Sequence, residues 1–162
     1  MAEFSITIKG LSLKKSELSE SDLALLNAAD EASKNAYAPY SQFFVGAALK
    51  LVNGITVLGS NQENVAYPSG LCAERVALFS ASTNHPNEPV ETVAITVNTT
   101  KSAITEPLSP CGSCRQVIME YQNKQKSPIR LILGSQGDTV WIFEDSANLL
   151  PFGFEAEYLK SS

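Results

Sequence analysis

Three cysteines, Cys72, Cys111 and Cys114, carry the first chemical signal in this sequence. Cys111 and Cys114 are three residues apart, a spacing that puts both on one face of a helix. They lie in Ser109-Pro110-Cys111-Gly112-Ser113-Cys114-Arg115-Gln116, and Cys72 lies in Leu71-Cys72-Ala73-Glu74-Arg75. Each segment reads as the start of a helix, so if the two starts meet, three thiolates converge on one point. A catalytic zinc takes three protein ligands and keeps its fourth position open. Soft sulfur donors favour zinc over magnesium or calcium, and the expectation is one Zn²⁺ per chain.

Zn²⁺ with three thiolates carries a net negative charge, which weakens it as an acid toward water. The positive ends of two helices offset that charge. Arg75, three residues after Cys72 and on its face, is placed to donate to the thiolates and compensate them further. Glu74 is two residues beyond Cys72. A carboxylate there sits beside the metal and can move protons to and from a reacting group.

Other readings exist for each part. A Cys-x-x-Cys alone is equally a structural zinc half-site or a redox pair, and a lone glutamate is usually solvated. A structural site would want a fourth Cys or His. No fourth cysteine exists, and the single histidine, His85, falls in the turn-like Ser82-Thr83-Asn84-His85-Pro86-Asn87. An odd cysteine count also suits a metal better than a disulfide framework.

The elements that must position these groups follow from pattern. Phe4, Ile6 and Ile8 alternate with polar residues and suggest a strand over 3–9. Leu23, Leu25, Leu26, Ala29 and Ala32 form a helical stripe over 20–37, with Ser19 or Ser21 as cap. Runs 44–52 and 55–60 read as strands around Asn53-Gly54, a tight-hairpin signal. A helix over 72–82, a β-branched strand over 92–98 and a helix over 110–123 follow, the last with Ser109 as N-cap and Pro110 at its first position. Strands at 129–133 and 140–143 and a short helix near 145–150 complete the pattern. The expectation is a three-layer α/β/α domain with one mixed sheet of about five strands, the last two antiparallel because their connection is too short for a crossover.

The chain has 162 residues, 44% hydrophobic and 18% charged, enough for one real core. No apolar run has the length of a membrane span, and the start Met1-Ala2-Glu3-Phe4 lacks a secretory pattern, so the expected location is cytoplasmic. The formal net charge of −5 and the absence of any Lys/Arg block argue against a nucleic-acid polymer as partner. An uncharged nucleoside is not excluded.

With these residues in view, the sequence resembles the cytidine deaminase family, in its small homotetrameric form. The motifs are Ala38-Pro39-Tyr40-Ser41-Gln42-Phe43, Val45-Gly46-Ala47-Ala48-Leu49, Asn61-Gln62-Glu63-Asn64, Cys72-Ala73-Glu74-Arg75 and Pro110-Cys111-Gly112-Ser113-Cys114-Arg115-Gln116. The general zinc-deaminase pattern has H-x-E followed by P-C-x-x-C, or three cysteines; here Cys72 stands in the histidine's place. The resemblance covers roughly 23–154 of a single domain, 1–162, with 1–12 and 155–162 as extensions. It implies Cys72, Cys111 and Cys114 as zinc ligands and Glu74 as proton shuttle. It further implies that Phe43 packs on the pyrimidine, that Asn61 and Glu63 hold the ribose 3′-hydroxyl, and that Ala73 belongs to the substrate site. Tyr67 matches an aromatic at subunit contacts. In Leu149-Leu150-Pro151-Phe152-Gly153-Phe154, Phe154 fits better than Phe152 the phenylalanine that reaches a neighbouring subunit's site. Taken without the resemblance, Phe43 would be a core residue and Asn61 and Glu63 turn-capping residues.

The implied activity is zinc-dependent hydrolytic deamination of cytidine and deoxycytidine in pyrimidine salvage. Competing expectations are a deaminase of an aminopyrimidine nucleoside antibiotic such as blasticidin S, a polynucleotide editor, which the acidic composition disfavours, and a zinc-stabilised binding protein without catalysis.

Overall fold

The protein, seen in a computed structural model, is described over residues 1–155 and at Leu159, so most of the extension expected at 155–162 lies outside the described residues. Among the described residues the sheet has six strands: β1 (Leu11–Lys14), β2 (Phe43–Leu51), β3 (Thr56–Ser60), β4 (Val90–Thr99), β5 (Arg130–Leu133) and β6 (Thr139–Phe143). Their order is β1-β6-β5-β4-β2-β3. Only β4 and β5 are parallel; the other pairs, β5–β6 among them, are antiparallel. That one parallel step needs a crossover, which α3 (Gly112–Gln125) supplies.

Two sets of alternate side chains divide the sheet into two cores. Helix α1 (Glu20–Ser33) lays Leu25, Leu26 and Ala29 on Ala48, Ala94, Ile132, Val140 and Ile142. On the other face, α2 (Ala73–Asn84) and α3 bury Ala77, Leu78 and Ile118 against Leu49, Val93, Ile95, Leu131 and Leu133. This is the expected three-layer architecture. The hairpin at Asn53-Gly54 is also present, with Gly54 at φ 86°, where a side chain would be strained. No helix among the described residues is long and apolar enough to cross a membrane.

Three local expectations are corrected. The first strand is 11–14 rather than 3–9, and it makes the count six instead of about five. β6 offers pairing partners only to Leu11–Lys14, so Phe4, Ile6 and Ile8 run past the sheet and stay exposed. Helix α1 stops at Ser33 rather than 37, because the Tyr37 N–H leaves the helix to donate to the Asn61 carbonyl at 3.0 Å. Helix α3 is capped by Cys111, not Ser109. The Ser109 hydroxyl instead accepts from the Arg115 guanidinium at 3.2 Å.

Close packing of α2 on β3 sets where Cys72 falls. A Cβ on Gly59 would stand 2.5 Å from the Ala73 carbonyl and 2.6 Å from the Ala77 nitrogen. Only glycine lets the first turn of α2 come this near the sheet.

Candidate active site

Cys72 and Cys111 occupy equivalent places, each the extended N-cap residue of its helix, and Cys114 lies one turn into α3. The Sγ of Cys111 is 3.9 Å from that of Cys72 and 3.4 Å from that of Cys114, and all three sulfurs lie within 4.8 Å of one another. Tetrahedral zinc with bonds near 2.3 Å separates its sulfur ligands by about 3.8 Å. The triangle therefore has the size and the donor chemistry for one zinc. Two helix N-termini point at it, which favours negative sulfur.

Hydrogen bonds from Cys114 and from Arg75 hold the Cys72 thiol down to about 5. Cys114, fully buried and hydrogen-bonded to Cys72, is pushed well above the usual thiol range. Arg75 donates through Nη2 to the Cys72 sulfur at 3.6 Å. Its Nε is buried with no hydrogen-bond partner among the described residues. An unsatisfied cationic donor beside the sulfurs suits thiolates rather than neutral thiols.

Glu74 is 4% exposed. Burial, and secondarily the Cys72 charge, push its carboxyl above the usual carboxylate range.

Cys72, Cys111, Glu74 and Arg75 line a cavity of about 630 Å³, with Cys114 buried behind them. Phe43, Asn61, Glu63 and Tyr67 line the other part, with Leu108 and Ser109 at the side. The chain segments that carry them are stitched edge to edge. Gln62 and Leu71 exchange two backbone hydrogen bonds of 2.9 Å, and the Glu63 N–H donates to the Tyr37 carbonyl at 2.8 Å. That small ladder sets Asn61 and Glu63 beside the residue that precedes Cys72.

Asn61 and Glu63 already have partners in the chain. Asn61 donates from Nδ2 to the Phe43 carbonyl (2.9 Å) and accepts at Oδ1 from the Val45 N–H (2.7 Å). Glu63 accepts from the Tyr40 N–H (2.9 Å), the Ser41 N–H (3.3 Å) and the Ser41 hydroxyl. The Ser41 hydroxyl bond, with the two backbone bonds, holds the Glu63 carboxyl below its usual range. Each group keeps spare capacity, since an amide has a second N–H and a carboxylate about four acceptor positions.

A model of the cytidine and deoxycytidylate deaminase zinc-binding region matches residues 19–127. The chain is 39% identical to a cytidine deaminase of Halalkalibacterium halodurans over 82% of its own length and 93% of the relative's. It is 40% identical to one of Sporosarcina psychrophila, over 83% and 92%. A crystal structure of cytidine deaminase from Burkholderia pseudomallei superposes with a TM-score of 0.71 at 38% identity, covering 85% of this chain and all of that one.

The chain belongs to the cytidine and deoxycytidylate deaminase family.

It is thus a zinc-binding deaminase domain, and its three-sulfur cluster is the group able to hold the ion. Of the other residues singled out in the sequence, Tyr67 is exposed at the cavity edge and meets Tyr40 edge-on at 6.4 Å. The Ala73 side chain is fully buried and is not part of the cavity wall. Phe154 is 58% exposed and also lies outside the wall of its own chain's cavity. His85 lies in a separate cavity between the far ends of α2 and α3.

Sequence reasoning gave no role to Arg115 or Gln116. Arg115 holds the Pro110 carbonyl (2.8 Å), the Ser109 hydroxyl (3.2 Å) and the Leu149 carbonyl (3.0 Å). Gln116 clamps the backbone of Phe154, donating to its carbonyl at 2.7 Å and accepting from its N–H at 2.9 Å. The helix that Cys111 caps and Cys114 enters therefore also holds the C-terminal segment. The available signal was position: both residues directly follow Cys114.

Proposed function

We propose that this protein hydrolyses cytidine and deoxycytidine to uridine, deoxyuridine and ammonia. The observation that carries the reading is one nucleoside-sized cavity with a three-sulfur cluster and a buried carboxylate at one end and an aromatic ring, an amide and an ionised carboxylate at the other. Relatives named cytidine deaminase that align over most of both chains support it. The only cation on the cavity wall among the described residues is Arg75, already engaged by Cys72. That favours a nucleoside over a 5′-phosphorylated nucleotide.

Cys72, Cys111 and Cys114 hold the zinc, whose chemistry when bound is to lower the pKa of a water at neutral pH. Glu74 accepts a proton from the attacking water and delivers it to ring N3, which makes C4 more electrophilic. The C4–O bond forms. Glu74 then carries the remaining hydroxyl proton to the 4-amino group, the C4–N bond breaks, and ammonia leaves. The water's two protons end on N3 and on ammonia, so one carboxylate serves every transfer. Arg75 compensates the thiolate charge. Phe43 packs against the pyrimidine, while Asn61 and Glu63 hold the ribose 3′-hydroxyl; Ala73, buried outside the cavity wall, leaves only its backbone for a substrate contact.

The active form is a homotetramer in the cytoplasm, serving pyrimidine salvage. Phe152 and Phe154 are 75% and 58% exposed and Tyr67 78%, a degree of apolar exposure that suits subunit contacts. In that assembly Phe154 reaches a neighbour's site and Tyr67 lies at a contact. Residues 23–154 form the core of a single catalytic domain. The direct test is loss of cytidine absorbance with stoichiometric ammonia, before and after zinc removal by a chelator. Tight zinc without ammonia release would mean a binding protein, and faster turnover of blasticidin S than of cytidine would move the substrate assignment.

A further inference from the structure

The two ends of the sugar half of the cavity are joined by one hydroxyl. Ser41 donates from Oγ to a Glu63 carboxylate oxygen, and the same Oγ accepts from the Phe43 N–H at 3.1 Å. The Phe43 carbonyl in turn accepts from Asn61. Phe43 is therefore held at its N–H by a hydroxyl bound to Glu63 and at its carbonyl by the Asn61 amide. Between Ser41 and Phe43 stands Gln42, at φ 57° in the left-handed region, with its N–H donating to the Ala38 carbonyl at 3.0 Å. A non-glycine residue seldom adopts that backbone, and the Ser41 bond two residues on spans and holds the turn.

We propose that Ser41 is a positioning residue that sets the Phe43 ring and the Glu63 carboxylate in register, so that base packing and recognition of the sugar hydroxyl are tuned together. The inference rests on the roles given above to Phe43 and Glu63. Without the hydroxyl, Glu63 keeps its two backbone donors but loses the partner that orients its second oxygen, and Phe43 loses the bond that links its backbone to Glu63 through Ser41. Ser41 is exposed and fills no core position, so its hydroxyl can be removed without opening an internal cavity. The Ser41 bond is also the main influence keeping Glu63 ionised.

The test compares cytidine with 3′-deoxycytidine on zinc-loaded wild type, S41A and S41T. A hydrogen bond to a charged acceptor makes wild type prefer cytidine by roughly 10- to 100-fold in kcat/KM. S41A should raise KM for cytidine and lower that preference at least about threefold, through a looser bond to the charged carboxylate, with kcat little changed. S41T keeps a hydroxyl and should restore the preference. A merely structural role would lower both substrates by one factor, and an unchanged preference in S41A would overturn the proposal. Should S41A lose zinc or its cooperative thermal transition, S41C, which has nearly the same shape and a weak donor, is read in the same way. No preference in wild type would remove the role given to Glu63 and the proposal with it, a result visible before any variant is made.

Discussion

Glu74 and Glu63 are the same residue type at opposite ends of one cavity, and their surroundings push them in opposite directions. Glu74 is desolvated beside the sulfur cluster, so its charged form is disfavoured and its carboxyl is raised. Glu63 is partly exposed and accepts three hydrogen bonds from Tyr40 and Ser41, so its charged form is favoured and its carboxyl is lowered. On the roles proposed above, the raised carboxyl is the one that exchanges protons and the one held ionised is the fixed acceptor. On that proposal the split between proton transfer and recognition follows solvation and hydrogen bonding rather than residue type.

The strongest way to break the comparison is Glu74→Gln. It keeps the shape and removes proton exchange, so kcat should fall by at least ~10²–10⁴ with zinc content and nucleoside binding retained. Near-normal kcat at full zinc occupancy would refute the assignment. Arg75→Gln should come next. The thiolates lose a donor, and a loss of roughly 10- to 100-fold in zinc affinity or kcat is expected; a wild-type rate and wild-type zinc content would end the compensating role. At the other end, Glu63→Gln should raise KM about tenfold while kcat stays close to wild type. A fall confined to kcat would place Glu63 in the chemistry instead of in binding.

A third carboxylate calibrates the other two. Asp22, on α1, forms a two-pronged ion pair with Arg130 at 2.7 and 3.0 Å, remote from the cavity lining. The Arg130 hydrogen bonds lower its carboxyl below the ordinary 3.8. With the folded value below the unfolded one, the pair adds stability at pH above 3.8 and loses it as pH falls through the folded value. Asp22→Asn should therefore cost about 1 kcal/mol at neutral pH, measured by urea unfolding at saturating zinc, and leave kcat/KM intact. The gap from wild type should close in acid. A gap that persists there would mean the loss came from packing rather than charge.

The metal end was legible because its signals are local. A Cys-x-x-Cys spacing, a glutamate two residues after a third cysteine and an arginine on the same helix face need no fold to be recognised, only a helix. The hairpin at Asn53-Gly54, a serine cap for α1 at 19 or 21, of which Ser19 is the one used, and the apolar stripes behind the three-layer architecture were readable for the same reason. The sugar end was not. Phe43, Asn61 and Glu63 by themselves looked like core and turn residues, and Asn61 and Glu63 do hold backbone groups in addition to facing the cavity.

What the sequence determined, then, was three cysteines spaced to meet, a glutamate and an arginine beside one of them, and the two periodicities that build the layers, all consequences of residue type at short spacing. Only the tertiary structure decided which groups share a cavity. The Gln62–Leu71 ladder that brings the sugar-end residues beside Cys72, the glycine contact that seats α2 on β3, and the Arg115 and Gln116 grip on Leu149 and Phe154 all join positions distant in sequence. The same is true of the first strand, which moved from 3–9 to 11–14. Alternation marks a segment able to pair, but the edge of β6 fixes where a partner exists.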